Sequence, residues 1–337
     1  MLDVSRYDRV IGRPGQRGLY ESHYLKANAP GHGGALWLKY CLLLPTAELP
    51  PVAELWAVVW EGPGQQPLVV KQSHPLEGFR FGEGALAFDG AGVHLDPAHA
   101  TGSLTSADHS IAWDLTLGCP EPALAHYHHA RLYDGGFPKK KILTPSPRLS
   151  MSGWLEVDGR RLDVEGWTGL RGHNWGREHA YAYAYGSCNR WDDPTEDLVL
   201  DGFTARIRLG RRLLSPWLSA AVGRRGGTEL EWNRPLGWLA RGSSVDFPRW
   251  RLRLVQGVAR LDASWEATPA DLAGLRYFHP DGRLSYCYNT KYARLDVQLT
   301  APDGRQSRHA SRAAELEFLF PDPLPGIPLH GNLGFPR

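Results

Sequence analysis

The sequence predicts an all-β protein built from antiparallel strands and tight turns. Turn-forming residues are dense, with 38 glycines and 26 prolines among 337 residues. Apolar residues recur at every second position in many segments, and almost no window has the apolar period of a helix. Residues 109–117 show this alternation, with Ile111, Trp113, Leu115 and Leu117 set against small or polar neighbours. This pattern is typical of half-buried strands.

Turn signals divide the chain into short strands. Asp158-Gly159 favours a two-residue hairpin turn, and Pro280-Asp281-Gly282 and Pro302-Asp303-Gly304 have similar turn chemistry. Strands are predicted at residues 36–43, 55–60, 67–72, 109–117, 154–157, 161–164, 198–209, 213–222, 251–255, 259–266, 284–289, 291–300 and 314–320. Short helices are predicted at residues 97–100 and 269–274.

Many short strands indicate a sandwich or a barrel, and closure into barrels hides sheet edges most completely. A chain of 337 residues also exceeds one typical domain. We therefore predict two consecutive antiparallel β-barrels with few short helices, at residues 1–178 and 179–337. A turn at residues 169–176 is expected to join them, and small-molecule sites often form where domains meet.

The segment 169–191 holds more histidine, tyrosine and tryptophan than folding requires. After the turn, alternate residues are expected to place His179, Tyr181, Tyr183 and Tyr185 on one face of a strand. The opposite face would carry only alanines. An aromatic wall with a few polar groups is typical of a pocket for a hydrophobic small molecule.

Composition excludes several classes of function. The 38 Lys and Arg residues nearly balance 36 Asp and Glu residues, so a nucleic-acid partner is not expected. The run Lys139-Lys140-Lys141 is interpreted as a solvated loop, with contact to an anionic membrane surface as the alternative. The charged N-terminal residues and the lack of long apolar runs predict a cytoplasmic protein. Cys41, Cys119, Cys188 and Cys287 are expected to be free, mostly buried thiols.

The central segment resembles the middle motif of the carotenoid hydratase and tocopherol cyclase superfamily. The resemblance lies in His173-Asn174-Trp175-Gly176 and in the later run Tyr-Ala-Tyr-Gly-Ser-Cys-Asn at 183–189. Residues 18–24 and 35–40 also resemble the start of the first barrel in such proteins. The resemblance implies two lipocalin-like barrels and weakly implies hydration or cyclisation of an isoprenoid.

One position departs from the superfamily pattern. Hydratase-like relatives commonly carry an aspartate directly before the motif histidine, where this chain has Gly172. If that aspartate supplies the proton in those enzymes, this chain cannot use it at this position. Glu178, Asp192 and Asp193 are the candidate replacements.

The residues and the resemblance together give a set of candidate site residues. Protonation in a water-poor cavity needs an acid whose pKa is shifted by burial or by neighbours. The predicted catalytic residues are His173, Glu178 and Tyr183. The predicted ligand-binding residues are Trp175, His179, Tyr181, Tyr185, Asn189, Tyr286 and Tyr288. In the structural alternative, the motif residues satisfy backbone groups in the turn and the tyrosines pack between domains.

No cofactor and no metal are predicted. The cluster His126-Tyr127-His128-His129 lacks a matching ligand pair for a zinc site, and no phosphate-binding or nucleophile-elbow motif occurs. Two hypotheses remain: a cofactor-free cyclase or hydratase acting on an isoprenoid- or polyketide-like molecule, and a non-catalytic lipid carrier or sensor. If Glu178 or His173 faces an enclosed apolar cavity within hydrogen-bond reach of Tyr181 or Tyr183, the enzyme is favoured. If these acids face bulk water, the carrier is favoured. A purely structural β protein would have no such cavity.

Overall fold

A computed structural model describes residues 3–13, 15–210, 213–239 and 242–335. It is 57% strand and 6% helix, which confirms the predicted all-β class. The strands are β1 (Leu19–Asn28), β2 (Ala35–Leu44), β3 (Val52–Trp60), β4 (Leu68–Pro75), β5 (Arg80–Phe81), β6 (Phe88–Gly90), β7 (Val93–Leu95), β8 (His99–Thr105), β9 (Ser110–Gly118), β10 (Leu124–Ala125), β11 (Lys140–Val157), β12 (Arg160–Gly176), β13 (Ala182–Cys188), β14 (Val199–Arg206), β15 (Leu218–Arg225), β16 (Thr228–Trp232), β17 (Ser244–Asp246), β18 (Arg249–Gln256), β19 (Ala259–Glu266), β20 (Ala273–Phe278), β21 (Leu284–Thr300), β22 (Gln306–Phe320) and β23 (Leu329–His330).

Helical segments are short. One α-helix, α1, spans Ala130–Asp134, and 3-10 turns lie at Ser5–Tyr7, Pro30–His32, Leu76–Gly78, Pro235–Gly237 and Pro269–Asp271. Within the described part of the chain, no helix combines the length and the apolar composition needed to cross a membrane.

The strands form two curled antiparallel sheets, consistent with two lipocalin-like barrels. In the first sheet the order is β4-β3-β2-β1-β12-β11-β9-β8-β7-β6-β5, with β10 beside β11. In the second sheet the order is β16-β15-β14-β13-β22-β21-β19-β18-β17, with β20 beside β21 and a short parallel pairing of β20 with β23. The first sheet ends at Gly176 and the second begins at Ala182, while the division at residue 178 stays a prediction.

Each sheet encloses its own apolar core, and a third core lies between them. Leu38, Phe88 and Trp113 belong to the first interior, whereas Trp250 and Trp265 stack at 4.2 Å between ring centroids in the second. The third core joins side chains of both sheets, including Trp37, Trp56, Tyr183, Tyr277 and Leu319.

Hydrogen bonds also link the two sheets. The indole of Trp60 donates to the carbonyl of Asp271 at 2.7 Å, and the amide of Asn28 donates to the carbonyl of Lys291 at 2.9 Å. The two sheets are therefore held against each other by polar as well as apolar contacts.

Several local predictions were wrong. Residues 97–100 lead into β8 instead of forming a helix, and residues 269–274 form one 3-10 turn followed by β20. The expected central turn at 169–176 is the end of β12, and the aromatic strand begins only at Ala182. The hairpin turn at Asp158-Gly159 is confirmed, since both residues have positive φ angles of 50° and 80°.

The cysteines and the lysine run show mixed outcomes. All four cysteines are free and three are buried, as predicted, with only Cys119 exposed. The lysine run, by contrast, is not a solvated loop. Lys140 faces the space between the sheets, and Lys141 donates to the carbonyls of Leu132 and Gly135 at the end of α1.

Candidate active site between the two sheets

A cavity of about 410 Å³ lies between the two sheets. Strands β1, β2, β11 and β12 form one wall, and β13, β14, β20 and β22 form the other. Its aromatic lining residues are Tyr20, Tyr24, Trp37, Tyr127, Phe137, Tyr183, Tyr185, Phe203, Trp238 and Tyr277. Its charged lining residues are Lys39, Lys139, Lys140, Glu178, Arg208, Glu315 and Glu317. The cavity is therefore mostly aromatic, with charged groups at a few positions.

Tyr183 and Glu317 form the central polar pair of this cavity. The Tyr183 hydroxyl donates a hydrogen bond to the Glu317 carboxylate across the β13–β22 ladder. Burial raises the pKa of Tyr183 well above its ordinary value, and the neighbouring Glu317 raises it further. The phenol therefore stays protonated and can act as a hydrogen-bond donor.

A second layer of side chains holds the acidic residues of β22. Asn289 donates to the other oxygen of Glu317 at 2.8 Å, which fixes that carboxylate. Glu315 accepts from Lys291 at 2.6 Å and from Ser187 at 2.8 Å, with Lys291 fully buried. Glu315 is thus neutralised by a buried ion pair, whereas Glu317 forms no ion pair with a lysine or arginine among the described residues.

Lys140 brings a positive charge to the same wall. Its ammonium nitrogen lies 4.2 Å from the centre of the Tyr183 ring. Burial lowers the pKa of Lys140 to about 8, against the opposing effect of Glu317. An amine with a pKa close to neutral pH can both donate and accept a proton in that range.

Tyr24 occupies the space of the side chain that Gly172 lacks. The two residues are directly paired between β1 and β12, and a Cβ on Gly172 would lie 2.1 Å from Cζ of Tyr24. The Tyr24 hydroxyl is 2.9 Å from that of Tyr185, which donates to Asp201 at 3.1 Å. The glycine that replaces the expected aspartate therefore makes room for a phenol in the cavity wall.

Glu178 and His179 lie in the short segment between the two sheets, and both line the cavity. Glu178 forms ion pairs with Lys139 at 2.7 Å and with Arg283 at 3.1 Å, so its charge is already compensated. His179 stacks on Tyr20 at 3.9 Å. Burial, together with the neighbouring His279, lowers the pKa of His179 well below its ordinary value, so its imidazole is neutral.

His173 is buried away from the cavity, in what we call the Glu21 cluster of Glu21, His23 and His173. Both imidazoles point Nε2 at the same oxygen of Glu21, at 3.1 Å from His23 and 2.9 Å from His173. The Glu21 carboxylate also accepts from the backbone N–H groups of Ile11 and Gly12. Burial alone would raise the pKa of Glu21, but the hydrogen bonds of the two histidines hold it well below its usual range.

The Glu21 cluster is the group of potential metal ligands found in the described residues, with its donor atoms within 4.8 Å of one another. Its two imidazole rings are stacked, 4.0 Å apart and only 14° from parallel. Both Nε2 atoms and a Glu21 oxygen are already engaged with one another, at 3.1 Å and 2.9 Å. The arrangement fits hydrogen bonding to one carboxylate better than metal binding.

The other predicted site residues do not line the cavity. Trp175 packs in an apolar cluster with Tyr7 and Tyr133, and Tyr181 lies under the guanidinium of Arg208. The remaining three are elsewhere in the cores: Asn189 accepts from Lys26, Tyr286 packs at the second core, and Tyr288 lies within it. Asp192 and Asp193, the other candidate acids, are exposed.

Of the predicted residues, the cavity therefore brings together Glu178, His179, Tyr183 and Tyr185. Sequence reasoning missed the two acids of β22, Lys140 and Tyr24. A signal for the acids exists at 314–320, since Glu315 and Glu317 alternate with Leu316 and Phe318 in a predicted strand. Carboxylates at every second position of a strand whose other face is apolar indicate a polar or cavity-facing surface.

Comparisons with known proteins agree with this architecture. No protein-family model matches the chain. Over 294 residues it is 26% identical to an uncharacterized protein in the CDC 1551 and H37Rv strains of Mycobacterium tuberculosis, across 85% of this chain and 82% of the relative.

Three solved structures are similar in fold at low identity. Kievitone hydratase from Nectria haematococca superposes with a TM-score of 0.53 at 10% identity, covering 95% of this chain and 92% of the hydratase. A Nitrosomonas europaea protein given the provisional name AttH has a TM-score of 0.52 at 12% identity, covering 88% and 92%. CghA in complex with Sch210972 has a TM-score of 0.50 at 12% identity, covering 90% and 88%. This chain thus shares its overall fold with a hydratase, with CghA and with the AttH protein, in agreement with the two-barrel fold that the resemblance at 173–189 implied.

Proposed function

We propose that this protein binds a hydrophobic, isoprenoid- or polyketide-like molecule between its two sheets and cyclises or hydrates it by acid–base catalysis without a cofactor. The observation that carries the proposal is the Tyr183–Glu317 hydrogen bond in the wall of an aromatic cavity. A proton donor next to a proton acceptor is what addition of water, or ring closure with proton transfer, requires.

The size and lining of the cavity support binding of a small molecule. Its volume of about 410 Å³ falls in the range of ligand pockets, which are mostly apolar with a few convergent polar groups. The hydroxyl of Tyr20, a lining residue, has no hydrogen-bond partner among the described residues although it is buried. Buried polar groups are normally paired, so a ligand oxygen is a fitting partner for this phenol.

The charged groups suggest a division of roles. Lys140 and Tyr183 can donate to a ligand oxygen and stabilise negative charge that develops there. Glu317 can accept a proton directly or through Tyr183 and return it to another atom of the ligand. Tyr24 and Tyr185 complete an aromatic wall whose π faces favour positive charge on a ligand carbon.

The names of two proteins of the same fold support this choice of reaction class. One is a hydratase named for kievitone, and the other was crystallised with Sch210972. Each is therefore associated with a small organic molecule. At identities of 10% and 12%, these likenesses support the fold and carry no argument about the residues of the site.

A carrier or sensor is the second candidate function. Two of the three carboxylates that line the cavity, Glu178 and Glu315, are already neutralised by ion pairs, which suits binding without chemistry. The two functions are separated by extracting the ligand that copurifies with the protein and identifying it by mass spectrometry. The ligand is then incubated with wild type, Tyr183→Phe and Glu317→Gln.

An enzyme will convert the ligand or its precursor. Hydration will raise the mass of the molecule by that of one water, and cyclisation will change its chromatographic retention time at constant mass. Both substitutions should slow that conversion. Recovery of the same unchanged molecule from every incubation, with equal retention by all three proteins, would leave the carrier as the function.

A further inference from the structure

The mouth of the cavity carries an unusual share of the exposed apolar side chains. Seven large apolar residues of the described chain are at least half exposed, and four lie in loops around this mouth: Phe137, Leu209, Leu213 and Leu239. Phe137 and Leu209 line the cavity itself. The carbonyl of Leu213 accepts from the N–H of Leu209, and Leu239 follows the lining residue Trp238. We call these four residues the mouth rim.

The same segments are strongly basic. Residues 135–141, 177–182, 205–215 and 233–243 hold ten Lys or Arg residues and a single acidic residue, Glu178, although the whole chain has a net charge of only +2. The basic residues are Lys139, Lys140, Lys141, Arg177, Arg206, Arg208, Arg211, Arg212, Arg234 and Arg241. Lys140 and Lys141 point inward, whereas Arg177 and Arg234 are exposed. Seven of these ten residues are described by the structure, and they lie in segments that line the cavity or adjoin its lining residues.

We propose that the mouth rim docks onto an anionic lipid bilayer, so that the cavity opens toward the membrane. Isolated apolar side chains on separate loops can insert among lipid headgroups, while surrounding basic residues attract anionic lipids. A stable protein partner would instead need a continuous, complementary contact area of about 1,000 Å² or more. The inference goes beyond the proposed function, because it concerns how a hydrophobic ligand reaches the cavity and holds for an enzyme or a carrier.

The test uses the full chain and sedimentation with vesicles of phosphatidylcholine, with and without phosphatidylglycerol. Wild type should sediment with the anionic vesicles and much less with neutral ones, and added salt should release it. The variant Leu213→Ser/Leu239→Ser removes two rim side chains that do not line the cavity. It should bind anionic vesicles about tenfold more weakly or worse.

A matched control is Val255→Ser/Val258→Ser, which removes two aliphatic side chains that are similarly exposed, at 62% and 59%, but do not line the cavity. This control should bind like wild type, and unchanged circular dichroism of all variants will exclude misfolding. Absence of wild-type binding to anionic vesicles would overturn the proposal, as would equal binding by the rim variant. Self-association in solution that the rim variant abolishes, without vesicle binding by wild type, would assign the rim to a second copy of this chain and also overturn it.

Discussion

Two buried clusters of this molecule use similar residues in opposite ways. The Glu21 cluster combines a carboxylate with two histidines, and the Glu317 region combines a carboxylate with a phenol and an amide. Every oxygen of Glu21 is engaged by backbone or imidazole N–H groups, and none of the three residues lines the cavity. Glu317, in contrast, lines the cavity beside Tyr183 and Lys140.

The comparison shows that a concentration of potentially reactive side chains in the sequence does not by itself mark a reactive site. Glu21 ties Ile11 and Gly12 of the N-terminal segment to β1 and β12, so the histidine of the sequence motif has a structural role in this geometry. The groups that can reach a ligand lie on β13 and β22 of the second sheet, across the cavity from β1 and β12. The following expected outcomes separate the two clusters.

The largest expected effect is on turnover. Tyr183→Phe removes the cavity-facing hydroxyl, and loss of a positioned proton donor typically slows a reaction by about 10²- to 10⁴-fold. The matched control is Tyr288→Phe, which removes a buried hydroxyl in the second core that accepts from the N–H of Leu324. Its rate should stay near wild type in the same ligand-conversion assay. Equal loss in both variants would mean that the effect is structural.

Glu21→Ala should produce the largest loss of stability. It leaves two imidazoles and two backbone N–H groups without their acceptor in a fully buried place, which costs about 3 to 5 kcal/mol in the free energy of unfolding. Glu178→Ala removes a carboxylate that is partly exposed and should cost about 1 kcal/mol or less. Urea unfolding of the two variants measures both losses in the free energy of unfolding. A small loss for Glu21→Ala would show that the cluster does not anchor the N-terminal segment.

The stability of the protein should fall as the pH drops from 7 to 5. Burial, with the nearby charges of His173 and Arg283 respectively, lowers the pKa of His23 and of His279 to about 4. Between pH 6.5 and 4 the unfolded chain binds more protons at these positions than the folded chain does, so stability is lost on acidification through that window. Each histidine contributes up to about 1.4 kcal/mol per pH unit.

Glu21 adds to acid sensitivity only at lower pH. Its pKa is depressed in the fold, so its contribution is present above the unfolded value and is lost as the pH falls through the folded one. Urea unfolding of wild type and His279→Asn at pH 7, 6 and 5 checks the histidine window, because the variant should show a shallower decline. A free energy of unfolding that is flat or higher at pH 5 would contradict this assignment.

Gly172→Ala tests the space that Tyr24 fills, with a smaller expected loss of stability than Glu21→Ala. The added Cβ would overlap the Tyr24 ring, and such overpacking costs about 1 to 3 kcal/mol. Gly136→Ala is the control, because a Cβ there meets no atom within 4 Å. Thermal or urea unfolding of both variants measures the difference in stability. Equal stability of the two would mean that Tyr24 is not held against Gly172.

The strand content could be predicted because alternation and turn chemistry act locally. The turn at Asp158-Gly159 requires positive φ at two adjacent residues, and an Asp-Gly pair favours that conformation. The first residue of β13 could not be predicted from local sequence in the same way. The alternation of rings and alanines suggests a strand from His179, but strand pairing with β14 and β22 begins only at Ala182 and Tyr183.

The site depended on contacts that local patterns do not encode. Tyr24 and Tyr185 meet across a sequence separation of 161 residues, and Tyr183 meets Glu317 across 134. The sequence identified Tyr183 and Tyr185 as pocket residues from their shared face. It could not identify their partners, because the packing of one sheet on the other decides which faces enclose the cavity.

The central claim is that the ligand lies between the two sheets, against Tyr183 and Glu317. A crystal structure of the protein with the ligand extracted from it tests this most directly. We expect density for the ligand in the cavity, with an oxygen within hydrogen-bond distance of Tyr183, Glu317 or Lys140. Ligand density inside either curled sheet, or beside the Glu21 cluster with the cavity filled only by water, would contradict the account.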